Sequence, residues 1–231
     1  MKAAALAVSR LGDRETREAQ NARAVKWLLA QPGGDVVVVT PRREVPSAVL
    51  KELVALPQVQ HLTWRGLHPG LFGGRRVLHA WPDRKNLNAL WNTEADAVAV
   101  IEWSVEETEE WISDANPVQL LPNATIEPSQ REPAALEPLP NGIDEILEYL
   151  AGMAAGYSSG LQWNEEDKLK ADMMNRPERW AAVTVEQVRT KCRALGMSGE
   201  DVDTIAGLLQ RRKDGHRFNV RSSYRSFRFG R

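Results

Sequence analysis

The carboxyl-terminal stretch RRKDGHRFNVRSSYRSFRFGR interleaves the cations Arg212, Lys213, Arg217, Arg221, Arg225 and Arg228 with the rings Phe218, Tyr224, Phe227 and Phe229. Cations meet phosphates with release of counterions, and aromatic faces stack on unpaired bases. This composition predicts a non-enzymatic nucleic-acid-binding or accessory protein that contacts RNA or DNA through its tail. In an extended tail, Arg217, Arg221 and Arg225 share one face, while Phe218, Val220 and Tyr224 share the other. The competing expectation packs the ring face onto the body and leaves the cations in solvent.

A second set of chemistry-bearing residues follows the predicted strands of the first half: Arg10, then Arg42 and Arg43, then Arg65, then Asp83 and Arg84, then Glu102. Ligands of doubly wound sheets bind at the carboxyl ends of the strands. A rim rich in arginine with a few carboxylates suits a nucleotide or phosphate ligand, so an enzyme or sensor is the alternative expectation. His68 and Ser104 fall on the same rim. No glycine-rich phosphate loop supports an ATPase or an NAD-dependent enzyme, because SRLGDRE after the first strand carries the single glycine Gly12.

Other chemistries find little support. His61, His68, His79 and His216 show no HxH, HExxH or HxxEH spacing, so no metal and no cofactor are expected. Cys192 is the only cysteine, which excludes an internal disulfide, and it lies on the apolar stripe of a predicted helix. No serine sits in a GxSxG elbow. Asp83 follows Pro82, but neither Asp96 nor Glu102 is followed two residues on by the lysine of a metal-dependent nuclease motif.

In the second half, ALGMSGEDVDTI places Gly196 in a turn and Ser198 as a helix cap, with Val202 and Ile205 at buried positions. Over Val188 to Leu209 this resembles the helix-turn-helix of many bacterial repressors, which implies a compact helical pair. Glu200, Asp201 and Asp203 stand where a recognition helix meets DNA and would be repelled by phosphates, so the segment is expected to be an ordinary helical hairpin.

The composition of the 231 residues, 42% hydrophobic and 26% charged, suits a globular chain with a real core. No apolar run approaches the length of a spanning helix, and the first residues lack the apolar region of a secretory signal, so a cytoplasmic protein without a membrane partner is expected. The formal net charge of −1 hides a strong asymmetry. Residues 102–150 hold twelve carboxylates against one arginine, and residues 211–231 hold eight cations against one carboxylate. The acidic segment 102–150 is a candidate contact for a protein partner, as in a subunit of a larger assembly, or for the basic tail itself.

The elements that must position these groups read as follows. Ala4–Val8, Val36–Val39, His61–Trp64, Val77–Trp81, Ala97–Ile101 and Val118–Leu121 are predicted strands. Between them lie helices capped by Asp13, Ser47, Asp83 and Ser104, the last with Glu107 in a capping box and the third running to about Trp91. The alternation predicts a mostly parallel, Rossmann-like three-layer α/β domain over residues 1–122. Residues 123–141 read as a Pro/Glu-rich linker, residues 142–210 as a small all-α domain, and residues 211–231 as a basic, aromatic tail. Six of the eight tryptophans fall in the first domain; Trp64, Trp81 and Trp103 end strands, and core packing is the expectation for most.

Overall fold

The computed structural model describes residues 3–65, 67, 69–90, 93–128, 138–155 and 160–230. His68, Trp91, Arg231 and the linker residues 129–137 therefore lie outside the described residues. The chain divides into two compact units, Met1–Gln130 and Arg131–Arg231.

The first unit is a seven-stranded, mostly parallel sheet with helices on both faces. Its strands are β1 (Ala5–Ser9), β2 (Val36–Thr40), β3 (Val59–Thr63), β4 (Arg76–Ala80), β5 (Ala97–Ile101), β6 (Val118–Leu120) and β7 (Thr125–Ile126), in the order β3-β2-β4-β5-β1-β6-β7. Every residue of β2 and β5 is buried, as continuous apolar strands covered on both faces must be. β7 lies within the segment expected as linker and pairs antiparallel with β6 through Gln119–Ile126 and Leu120–Thr125.

The strand order fixes which helix covers which face. The connections β1→β2 and β2→β3 run toward the β3 edge and carry α1 (Arg17–Ala30) and α2 (Ala48–Val54). The connections β3→β4, β4→β5 and β5→β6 run the opposite way and carry a 3₁₀ turn (Pro69–Phe72), α3 (Arg84–Ala89) and α4 (Val105–Ala115). Right-handed crossovers then place the two groups on opposite faces. The packing agrees: Ala24, Leu28, Leu50 and Leu53 meet Val36, Val38, Ala97 and Ala99 on one side. Phe72, Leu87 and Trp111 meet Val37, Val39, Val98 and Val100 on the other.

Two expected caps are replaced. Asp13 does not cap α1, because Arg14 adopts the left-handed conformation (φ 61°) and the helix starts three residues later, with the Thr16 hydroxyl accepting from Ala19 N at 3.2 Å. Glu15 in this turn pairs with Arg23, whose hydrogen bond holds the carboxyl below its usual range. Ser104 begins α4 without a side-chain cap bond, and Glu107 accepts the α3 amide of Arg84 at 2.8 Å instead. Ser47 and Asp83 cap as the sequence predicts, accepting from Leu50 N and Asn86 N. α2 receives further help from Glu18 of α1, whose carboxylate accepts from Ala48 N at 3.0 Å and Ser47 Oγ at 2.9 Å.

The second unit contains α5 (Ile143–Ala155), α6 (Trp163–Asn175), α7 (Pro177–Ala181), α8 (Val185–Ala194) and α9 (Gly199–Lys213) around one apolar core. Thr184 and Gln187 form the capping box of α8, and Ser198 caps α9. Gly196 (φ 74°) ends α8, with Gly196 N bonding Arg193 O and Met197 N bonding Cys192 O, a pairing that needs the left-handed residue between helices. Among the acids at the start of α9, Asp201 is buried, accepting from Leu161 N at 2.7 Å and Ser198 Oγ at 2.8 Å, and Asp203 pairs with Arg189 at 3.0 Å.

Candidate functional site: a tryptophan-lined cleft at the strand ends

Because β2 and β4 are neighbours whose connections leave on opposite faces, their loops diverge at the carboxyl edge of the sheet. Such a divergence opens a crevice. A cleft of about 390 Å³ lies there, lined by Pro41, Arg42, Glu44, Pro46, Trp64, Trp81, Pro82, Asp83, Trp103 and Glu107. Its size is within the usual range for a small-molecule site.

Each wall is built from a strand end. Thr40 closes β2; its hydroxyl donates to Arg42 O at 2.6 Å and lies 2.7 Å from His61 Nε2 of β3. Those bonds hold the Pro41–Pro46 loop, which also anchors Val45 in the core. Burial, and then the charge of Arg43, hold the His61 imidazole below its ordinary pKa. Trp64 directly follows β3 and donates its backbone N–H to Thr40 O at 3.2 Å. Trp81 directly follows β4 in the left-handed region (φ 55°), an unusual conformation for so bulky a residue, fixed by the hydrogen bond its backbone N–H donates to Ile101 O at 2.9 Å. Strain of this kind costs about 1–3 kcal/mol and gathers at functional sites. Trp103, just beyond β5, is 57% exposed; its ring stands at 73° to that of Trp81, centroids 6.4 Å apart. Arg17 holds Trp103 from α1, donating to Trp103 O at 2.8 Å with its guanidinium 4.8 Å from the ring centroid.

The indole N–H groups of Trp64 and Trp81 are buried and, among the described residues, have no partner. Asp83 Oδ1 accepts from Asn86 N and Nδ2, and Glu107 Oε2 from Arg84 N, so both carboxylates of this wall are fixed against the first turn of α3. His79, on β4 four residues before Asp83, is 1% exposed. Burial pushes its imidazole pKa down to about 3 against the opposing pull of Asp83, and among the described residues its Nδ1 has no hydrogen-bond partner.

A second divergence separates β5 from β1. Its cleft is lined by Arg10, Leu11, Gly12, Asp13, Glu102, Val105, Leu121, Pro122, Asn123 and Ala124. Here the polar groups satisfy one another. Buried Glu102 lies 3.3 Å from Arg10 Nε and accepts from the Thr108 hydroxyl, while Gln20 Nε2 bridges Ser9 O and Glu102 O.

The predicted rim is thus divided. Arg42 and Asp83 line the first cleft, and Arg10 and Glu102 line the second. Arg43, Arg65 and Arg84 line neither; Arg43 and Arg65 are exposed, and Arg84 pairs with Glu110. Sequence reasoning did not single out Trp64, Trp81, Trp103, Glu44 or Glu107 as site residues. The available signal was positional, since each tryptophan stands within two residues of a strand's carboxyl end.

In the second unit, the tail is laid on the helical core rather than extended, with a 3₁₀ turn at Ser222–Tyr224. Phe229 is 9% exposed, and Phe218 and Phe227 pack against the same core. Tyr224 is half-buried, edge-on to Trp163 and Phe227. Asp172 accepts from Phe229 N at 2.9 Å and Trp180 Nε1 at 2.8 Å, and pairs with Arg179 at 3.5 Å, clamping the tail. Arg212 donates to Met173 O, and Arg221 lies 3.8 Å from the Trp163 ring centroid and 3.6 Å from Asp167. Lys213, Arg217, Arg225 and Arg228 are exposed and, among the described residues, have no carboxylate partner.

The acids of segment 102–150 have local roles besides Glu102, Glu107 and Glu110: Asp144 and Glu148 both pair with Lys191. Among the described residues no group of three His, Cys, Asp or Glu could hold a metal ion, and no helix is long and apolar enough to cross a membrane. No protein-family model matches the chain, and no curated protein and no solved structure matches it either.

Proposed function

We propose that the α/β unit is the ligand-binding domain of an enzyme or sensor, and that its ligand enters the cleft between the β2 and β4 loops. The observation that supports it is the convergence of Trp64, Trp81 and Trp103, from three strand ends, on a crevice that the strand order itself creates. Of the arginines expected to receive a phosphate, Arg42 alone is among the lining residues, so a nucleotide would rely on ring stacking plus one guanidinium. Calorimetry and thermal shift against a panel of small organic molecules test this. A ligand that raises Tm in the wild type and loses at least ten-fold in affinity in Trp103→Ala supports the proposal. A panel in which Trp103→Ala changes no binding counts against it.

A second reading concerns the tail, and it is favoured by Lys213, Arg217, Arg225 and Arg228, which are exposed and have no carboxylate partner among the described residues. With Phe218, Phe227 and Phe229 engaged in the helical core, contact would run through nucleic-acid phosphates rather than through base stacking. Four phosphate contacts correspond to a slope of about −3 to −4 in log K against log salt. Replacing Arg217, Arg225 and Arg228 together with glutamine should flatten that slope for RNA or DNA. Absence of salt-dependent binding by the intact chain would end this reading.

A further inference from the structure

We infer that the tryptophan-lined cleft accepts an alkylated ammonium cation, of the kind carried by choline or a trimethylated lysine; the inference rests on the cleft being a ligand site. Six of its ten described lining residues are proline or tryptophan. Trp81 and Trp103 stand nearly perpendicular, Trp64 forms a third aromatic side, and Pro41, Pro46 and Pro82 fill the corners. Rings set around a cavity in this way attract a cation through their negative faces, and quaternary ammonium groups are the ligands best served by such cages. The Trp64 and Trp81 N–H groups are buried, so these rings offer a ligand their faces and edges rather than donors.

Charge points the same way. Among the described residues the lining carries Arg42 against Glu44, Asp83 and Glu107, an excess of two negative charges, with Arg17 behind the Trp103 ring. Asp83 and Glu107 are held by hydrogen bonds to α3 and cannot swing away, so an entering phosphate would meet two fixed carboxylates, whereas a cation would be drawn to them. Arg17 already occupies one face of Trp103, 4.8 Å from its centroid, so the incoming cation relies on the other face and on Trp64 and Trp81. A quaternary ammonium needs no hydrogen-bond acceptor, so it can use the charge of two carboxylates that each have one oxygen engaged by α3.

Calorimetric titration of the full chain with choline, with its neutral isostere 3,3-dimethylbutanol and with AMP decides the matter. The expected result is binding of choline about 2- to 30-fold tighter than the isostere. That preference should shrink in Glu107→Gln, which keeps an acceptor for Arg84 N but removes the charge. Choline binding should be lost in Trp103→Ala, whose side chain is largely exposed and can be removed without opening the core. Equal affinity for choline and the isostere overturns the inference. So does AMP binding that is sensitive to Trp103→Ala while choline does not bind, and in that case the cleft remains a ligand site. If neither choline, the isostere nor AMP binds in a manner sensitive to Trp103→Ala, the inference and the ligand site fall together.

Discussion

His79 offers a direct measure of how well the sheet next to the cleft is sealed. It occupies β4 between Val39 of β2 and Val100 of β5 in the strand register, and it is 1% exposed. Burial lowers its pKa from the ordinary 6.5 to about 3, with Asp83 opposing. The unfolded chain therefore binds this proton more readily than the folded one. The stabilisation is complete above pH 6.5 and is lost as pH falls toward 3, at about 1.4 kcal/mol per pH unit. Between pH 6.5 and 4.5 the loss is roughly 2–3 kcal/mol, a large fraction of the ~5–15 kcal/mol typical of a folded domain. Urea unfolding of the wild type and of His79→Leu, followed by tryptophan emission at pH 7.5, 6.5, 5.5 and 4.5, isolates the term, because every other carboxylate and histidine is common to both. At pH 7.5 the variant should be close to the wild type in stability, since leucine fills a similar volume and removes a buried Nδ1 that has no partner. Toward pH 4.5 the wild type should fall relative to the variant by the amount given. Parallel curves for the two proteins would mean that water reaches this imidazole and that the sheet is open around it.

Three further outcomes follow from particular contacts. Asp172→Ala leaves Trp180 Nε1 and Phe229 N without their acceptor and strands the buried Arg179; it should cost about 3–5 kcal/mol in chemical denaturation and speed tryptic cleavage of the tail, and an unchanged cleavage rate would contradict the clamp. Gly160 has φ 68°, and a Cβ there would lie 2.6 Å from Asp201 Oδ1, so Gly160→Ala should destabilise by roughly 2–3 kcal/mol in thermal melts. Burial pushes the Cys192 thiol up to about 12, with Asp201 adding to the effect; a thiol reagent at pH 8 should label it only after unfolding, and fast labelling of the native protein would refute its burial.

Much of the architecture was legible because its signals are local. Four successive valines in β2 and AVAVI in β5 declare strands covered on both faces, and Ser47, Thr184 and Ser198 declare helix starts whose partners lie three residues on. The misses share a different cause, namely competition from outside the segment. Glu107 has the spacing of a capping box, yet its carboxylate is taken by Arg84, 23 residues away. Asp13 is a good cap by type, but a left-handed Arg14 moves the start of α1 to Thr16. The tail's alternation of cations and rings was visible, whereas its docking through Asp172 depends on α6, 57 residues before Phe229. The site was half legible for the same reason. Arg42 and Asp83 follow from the rule that ligands gather at strand ends, but the tryptophans read as core material until the order β3-β2-β4-β5 shows which ends are neighbours.

That order also explains why the two crevices of one sheet differ in character. Handedness opens both, one between β2 and β4, continued at the β3 end that brings Trp64, and one between β5 and β1, since in each case adjacent strands send their connections to opposite faces. At β5/β1 the exposed strand ends are satisfied from within: Gln20 reaches both Ser9 O and Glu102 O, and Glu102 itself is matched by Arg10 and Thr108. A polar network closed in this way rigidifies the junction of α1 with the sheet and leaves little for a ligand to add. At β2/β4, among the described residues, no such network fills the gap. Proline and tryptophan side chains line it, one of the rings held in a strained backbone, with charged groups fixed at the wall rather than paired across it. Apolar surface kept in a concave, partly open position is costly for a fold to maintain unless something covers it. The contrast between the two crevices, made by the same crossover rule, is therefore the strongest physical reason to look for a ligand at the first and for structural support at the second.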